Sequence, residues 1–384
     1  MNKKLMDGRQ HKGWLPFDSG ILCGLAVYCA LFLCPGCTRL KESLSPVAVS
    51  EKSKESDPAV TPVEVQEAAE TTPYPEEPRR RVGIAYELWF PPQSWDNAWS
   101  LPQLGKYDSS DTNVIRQHAE WLADAGVDFI WIDWSNNVAA AADPGLQSIE
   151  RATETLFAVY AGLKDRPQIS IFLGIDGNPA HLENGGLQRK ADQIYDSFAA
   201  VPEYRNLLIQ YLGKPLLVIY AGTPCPWRDR LPRWDDPRFT VRWMTGFLDD
   251  QPSLRTGDGA SAYGYWSWWD RTPQSFARHE GVPENCAVSA AYPGYTGWDT
   301  EGTAGRRAGE TFREQWAHAR EIDPCFVLVN SWNEWTPPEE VDPEFSNDLE
   351  PSEEFADQYL ALLKEEIAAW KDAPASETPE DALP

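Results

Sequence analysis

Eight apolar runs recur along the chain, at 82–89, 128–135, 168–175, 214–221, 239–247, 262–269, 286–293 and 325–334. Each is short, rich in β-branched or aromatic residues and bounded by turn formers, which is the pattern of a buried strand. Helical patterns fall between several of them. In 111–126, Val114, Ile115, His118, Trp121, Leu122 and Ala125 follow helical spacing, and Gly126 stops the helix. Residues 187–212 and 307–321 also read as helical, and Phe355, Tyr359, Leu363, Ile367 and Trp370 share one side of a final segment. Eight strands with helical crossovers in about 290 residues predict an α/β chain, a single-domain (β/α)8 TIM barrel. A doubly wound open sheet is the alternative, because the fifth strand carries Arg242 and a short connection follows it.

Strand parity then sorts the side chains. Ile169, Ile171, Leu173 and Ile175 face the helices, which turns Ser170, Phe172, Gly174 and Asp176 inward. Ile130 and Ile132 face outward, and Trp131, Asp133 and Ser135 inward. Gly83, Ala85, Glu87 and Trp89 share a side of the first strand; Leu328, Asn330, Trp332 and Glu334 share a side of the last. Glu87, Asp133, Asp176 and Glu334 are thereby expected inside the barrel near its C-terminal mouth, where barrel enzymes hold their chemistry.

The two ends read differently. Lys3, Lys4, Arg9 and Lys12 precede an apolar run at 20–34, short for a bilayer span of about 20 residues but long enough for a secretory signal. Cys37 follows Pro35-Gly36, and the segment resembles a bacterial lipoprotein signal in which that cysteine is lipidated. An uncleaved anchor is the alternative. Residues 1–37 are read as the signal and 38–80, rich in Glu, Pro, Ser, Thr and Val, as a solvated tether. Residues 81–370 form the domain and 371–384 a tail. The expected location is the cell envelope, periplasm or cell surface, with the membrane reached through the N-terminal lipid or anchor. A net charge of −25 excludes a nucleic acid as the main partner. A monomer is expected.

Acid–base chemistry on a sugar is the reading that the mouth suggests. Carboxylates bind hydroxyls and divide acid and base roles at a glycosidic bond. Sugar rings stack on aromatic faces, and Trp89, Trp134, Trp268, Trp269, Tyr292, Tyr295, Trp298, Trp332 and Trp335 crowd the same end. No G-x-S-x-G, nucleophilic Cys–His pair or phosphate-binding loop is present, and five histidines do not suggest a metal hydrolase. Cys286 and Cys325 precede apolar runs and can be neighbours; buried free thiols are the expected state, and no Cys/His spacing suggests zinc. Asp342, Glu344, Ser346, Asp348 and Glu350 alternate like calcium-loop ligands, but Asn347 stands where the loop needs glycine. Neither a metal nor a cofactor is expected.

Three blocks, in order, carry a resemblance. They are 104–134 (LGKYDSSDTNVIRQHAEWLADAGVDFIWIDW), 292–295 (YPGY) followed by Arg306-Arg307 and Phe312-Arg313-Glu314-Gln315-Trp316, and 327–336 (VLVNSWNEWT). The chain resembles the endo-α-mannosidase family of glycoside hydrolases, family 99, over most of 82–370. That resemblance implies a retaining hydrolase of α-mannosides. The glutamate of Asn-Glu-Trp, here Glu334, acts as base on the sugar's own 2-hydroxyl, and a second glutamate three residues on is the acid. Position 337 is Pro, so Glu339 or Glu340 is left to supply the acid from a reshaped loop. Asp176 matches a third-strand carboxylate that binds substrate hydroxyls, and Tyr292 and Tyr295 lie in the matching Pro-Gly loop. The first strand departs, with Tyr86-Glu87-Leu88-Trp89-Phe90 in place of a tyrosine-rich start.

The expected catalytic residues are Glu334, Glu339 and Glu340. Glu87, Trp89, Asp133, Asp176, Trp268, Trp269, Tyr292, Tyr295, Trp332 and Asn333 are the expected contacts to an oligosaccharide or polysaccharide. A non-catalytic glycan-binding lipoprotein, and a protein of cell-envelope polysaccharide assembly, remain as alternatives.

Overall fold

In the computed structural model the described residues are 80–91, 95–96, 98–175, 177–222, 225–227, 231–245, 265–268, 274–275, 287–291, 305–335 and 342–374. All belong to one unit, Glu70–Pro384. The strands are β1 (Arg81–Tyr86), β2 (Phe129–Trp134), β3 (Gln168–Gly174), β4 (Gln210–Tyr211), β5 (Lys214–Tyr220), β6 (Thr240–Thr245), β7 (Trp266–Ser267), β8 (Gln274–Ser275), β9 (Ala287–Ala291) and β10 (Phe326–Val329). The helices are α1 (Thr112–Ala125), α2 (Pro144–Ala161), α3 (Ala180–Glu183), α4 (Gly186–Ile194), α5 (Glu310–Ile322) and α6 (Gln358–Lys371).

Local chemistry sets the helix ends. The Asp111 side chain accepts the Asn113 N–H at the start of α1, and Gly126 closes it in the left-handed region at φ 85°. Asp143 caps α2 in the same way, with Pro144 in the first turn. The helical expectation for 187–212 is met only in part. After α4 the chain runs through a π turn (Tyr195–Ala199) and a 3-10 turn (Pro202–Tyr204), then becomes extended in β4.

Sheet order is β7-β6-β5-β3-β2-β1-β10-β9-β8, with β4 on β5. Eight of the strands are parallel and follow chain order around the sheet, with the last returning to the first: β10 pairs β1 through Arg81–Phe326 and Ile84–Val329. β4 and β8 are short antiparallel additions. The eight apolar runs expected as strands are these eight parallel strands. Among the described residues no hydrogen-bonded pair joins β7 to β9.

The two faces of the sheet hold different material. On the outer face Val82, Ile84, Ile130, Ile132, Ile169, Ile171, Leu173, Val327 and Val329 pack with side chains of α1, α2, α4, α5 and α6. The inner cluster is Ala85, Phe129, Trp131, Phe172, Ile209, Tyr211, Leu216, Val218, Met244, Trp266, Phe326 and Leu328, with no helical member. Among the described residues helices lie on one face only, which distinguishes a barrel-type arrangement from a doubly wound sheet, which carries them on both. Each large side chain buried here is worth roughly 1.5–3 kcal/mol against exposure.

Tyr211 stops the N-terminal end. Its ring meets Phe326, the first residue of β10, at 5.1 Å, and the Arg242 guanidinium lies 5.0 Å from its centroid. Thr240, the first residue of β6, donates its hydroxyl to the Tyr211 carbonyl, and Arg81 Nη1 donates to the Gln210 carbonyl at 3.2 Å. Arg242, a charge in an otherwise apolar strand, thus faces this plug. Cys325 is disulfide-bonded, which corrects the free thiol expected there; its partner lies outside the described residues. Cys225 is a buried free thiol. Among the described residues no helix is long and apolar enough to cross a membrane.

Candidate active site at the ends of β1, β2 and β10

Three adjacent strands bring carboxyls to one height. Ala85 is level with Trp131 and Tyr86 with Ile132, so the next step sets Glu87 beside Asp133. On the other side β10 ends at Val329, a cis peptide joins Asn330 to Ser331, and the Trp332 N–H returns to the Ala85 carbonyl at 2.9 Å. The Asn333 side chain then grips β1. Its Oδ1 accepts the Glu87 N–H at 2.9 Å, and its Nδ2 donates to the Glu87 carbonyl at 3.0 Å and to the Tyr107 hydroxyl at 3.2 Å. Glu334 follows directly.

The three carboxyls differ in setting. Glu87 is 2% exposed, and its Oε2 has no hydrogen-bond partner. Burial first, then the charges of Glu334 and Asp133, push its pKa well above the ordinary carboxyl range. Glu334 is half-buried; Asn347 Nδ2 donates to its Oε2 at 2.5 Å. Burial, opposed by that hydrogen bond and reinforced by Asp133, pushes Glu334 up to about 7. Asp133 is half-buried too. Burial raises it, while the Ser135 N–H, donating to its Oδ1 at 2.6 Å, favours the charged form. A fourth carboxyl, Asp348, accepts from Trp99 Nε1 at 2.8 Å and lies 3.7 Å from Arg306 Nη2, yet burial lifts it to about 8.

The segment 342–350 supplies Asn347 and Asp348, and its alternating polar side chains are turned to protein partners. Asp342 caps a short turn through the Glu344 N–H, and Glu344 accepts the Arg307 N–H. Arg306, fully buried, donates to Ser346 Oγ and to the Pro343 and Asp348 carbonyls, and lies over the rings of Tyr359 and Phe355 at 4.2 and 4.7 Å. Glu350 accepts from Trp335 Nε1 at 2.7 Å and from the Tyr107 hydroxyl at 2.9 Å, and meets His118 Nε2 at 2.8 Å. The Tyr86 hydroxyl contacts His118 Nδ1 at 2.7 Å. Among the described residues no group of three or more His, Cys, Asp or Glu is arranged to hold a metal.

The structure brings Glu87, Asp133, Asn333 and Glu334 together. Trp332 is placed elsewhere, which corrects the parity expected for it. Beyond the cis peptide its ring turns outward, fully buried, against His118 at 5.5 Å and Trp121 at 6.2 Å. Asn333 is 1% exposed and directed to the β1 backbone, so it acts as a brace. Trp134 faces outward, donating to Thr153 Oγ1, and Trp335 is fully buried beneath the site. Trp89 is half-buried beside Phe90. Trp268 lies on the inner face with Phe172, Tyr220 and Trp131 at 5.3, 5.0 and 6.4 Å. Asp176, Trp269, Tyr292, Tyr295, Trp298, Glu339, Glu340 and Cys37 lie outside the described residues.

Asn347, Asp348, Glu350, His118 and Tyr107 were not expected at the site. Only the alternation in 342–350 signals some of them, and it reads as readily as a cation loop. His118 is legible as part of the buried face of α1, but its partner lies 232 positions away.

No family model matches the chain, and no curated protein does. Among solved structures the chain is similar to a GH99 endo-alpha-mannosidase from Bacteroides thetaiotaomicron, with a TM-score of 0.52, 15% identity, and coverage of 76% of this chain and 98% of that one. A structure of a GH99 endo-alpha-mannosidase from the same organism in complex with bis-tris-propane gives a TM-score of 0.50 at 16% identity, over 76% and 98% of the two chains. What this likeness establishes is the fold, a parallel β/α chain of TIM-like type.

Proposed function

We propose that the chain is a glycoside hydrolase whose working carboxyls stand at the C-terminal ends of β1, β2 and β10, and that its barrel closes between β7 and β9. The observation that carries the reading is Glu334, half-exposed and pushed up to about 7, with Asp133 and Glu87 beside it. Carboxyls whose environments hold different protonation states at one pH are what acid–base cleavage of a glycosidic bond requires. Trp89 and Trp268, each half-buried, offer apolar faces to sugar rings. Similarity to an endo-alpha-mannosidase makes α-mannosides the first substrates to try. Glu339 and Glu340 remain sequence candidates for a partner to Glu334. No cofactor enters the reading. The chain is further proposed to be exported and held at the cell envelope through Cys37, which labelling with a radioactive fatty acid, lost in Cys37→Ala, tests.

The enzymatic test is release of reducing sugar by the full chain from a panel of α- and β-linked glycans. Wild type is expected to cleave at least one, and Glu334→Gln to fall about 10²-fold or more while still binding it. Turnover by that variant at the wild-type rate contradicts the assignment.

A further inference from the structure

Asp133 on β2, Glu87 just after β1 and Glu334 in the turn after β10 stand in a row, with Glu87 in the middle. Glu87 is the most enclosed of the three, its Oε2 buried and without a hydrogen-bond partner, while both flanking carboxyls are half-exposed. Asn333 fixes the Glu87 backbone on both sides and is adjacent to Glu334, so the spacing across the row is rigid. Neighbouring strands are about 4.8 Å apart, which sets β2 and β10 about 10 Å apart with β1 between them. A strand separation of about 10 Å leaves room for a water between two carboxyls, which a pair roughly 6.5–9.5 Å apart needs for direct attack of that water.

Resting on the hydrolase reading above, we propose that Asp133 is the second working carboxyl, so that Asp133 and Glu334 form the acid–base pair and face each other across the buried Glu87. Burial raises Asp133 too, but the Ser135 N–H at its Oδ1 opposes that rise and favours the carboxylate, which suits a base. Of the two flanking carboxyls, Glu334 is the one raised by its partner's charge, up to about 7, so it loses its proton after Asp133, which suits an acid. This assignment is the reverse of the role that the family resemblance implies for Glu334. Among the described residues the charged and titratable groups around Glu334 are Asp133 on β2, Glu87 after β1 and Asp348, itself beside Arg306; Asn347 adds a neutral donor. In the step, the Glu334 proton passes to the glycosidic oxygen as the bond from that oxygen to the anomeric carbon breaks. The bonding pair leaves with the oxygen. A water adds to the anomeric carbon and gives its proton to the Asp133 carboxylate. The net change is hydrolysis, with one proton moved from Glu334 to Asp133 and returned through solvent.

The test uses the full chain with two readouts. One is turnover of an aryl glycoside of the linkage that the glycan panel identifies. The other needs no turnover: the Glu334 carboxyl is titrated by carbon NMR of glutamate-labelled protein, its resonance assigned by loss in Glu334→Gln. In Asp133→Asn the Glu334 midpoint is expected to fall by about one pH unit, because a neighbouring negative charge is removed. Turnover is expected to drop about 10²-fold or more and to be partly restored by azide, a nucleophile that needs no base. Asp133→Glu, which keeps the charge, is expected to hold the Glu334 midpoint near its wild-type position. Wild-type turnover in Asp133→Asn, or an unshifted Glu334 midpoint in that variant folded, overturns the pair. So does loss of the same turnover in Glu339→Gln or Glu340→Gln with azide rescue there instead. If wild-type protein shows the Glu334–Asp133 linkage in its titration but cleaves no glycoside, the hydrolase reading itself falls and takes the catalytic role with it.

Discussion

Glu334 is held in a balance of opposed effects. Burial and the Asp133 charge disfavour its carboxylate, while the Asn347 amide favours it. Removing that amide takes away the one effect that lowers the pKa, so Asn347→Ala is expected to move the Glu334 midpoint above about 7, read by the same carbon NMR titration. A midpoint that falls or stays put contradicts the assignment of that hydrogen bond. At this scale the sequence is legible where alternation is regular. The inward side of β2 and of β1 follows from Ile130, Ile132, Val82 and Ile84 on the other side, and so Asp133 and Glu87 follow too. Trp332 is not legible, because β10 ends at Val329 and strand alternation no longer applies beyond it, and nothing in the local sequence marks that end. Glu350 and His118 are not legible as a pair, because a contact between distant positions leaves no periodic trace.

Among the elements, the close approach of the paired strands β2 and β3 at their C-terminal ends decides how firmly Asp133 is held. A Cβ built on Gly174 lies 1.5 Å from the Ser135 carbonyl oxygen, and Ser135 is the residue whose N–H holds Asp133. Gly174→Ala is therefore expected to push the chain after β2 away. It should destabilise the domain by about 1–3 kcal/mol, measured by urea unfolding, and lower activity beyond what that loss of stability explains. Unchanged unfolding and unchanged activity contradict this close approach. The eight parallel strands are readable because each is a short apolar run between turn formers. The extended segment β4 is hidden inside a stretch with helical spacing, and only its pairing with β5 and the packing of Tyr211 under the inner cluster make it extended. The disulfide at Cys325 is likewise a matter of spatial proximity, which spacing along the chain does not determine.

For the whole molecule, four raised carboxyls make stability depend on pH with a definite sign. Glu87, Asp133, Glu334 and Asp348 bind protons in the folded state where the unfolded chain, with carboxyls near about 4, has already released them. From about pH 4 up to about 8 the folded state therefore holds more protons, and stability falls as pH rises. Asp192 and Asp236, lowered chiefly by hydrogen bonds from Arg238, work the other way, and their contribution is lost as pH falls below the ordinary carboxyl range. Calorimetry is expected to give a higher Tm near pH 5 than near pH 8; the reverse order contradicts the set of raised groups. The most direct measurement is the pH profile of kcat/KM for wild type on the glycan it cleaves. With Glu334 as the proton donor, the rate is expected to fall as pH rises through about 7. A rate that rises through that value makes Glu334 the base, and a rate flat from pH 6 to 8 removes it from the reaction.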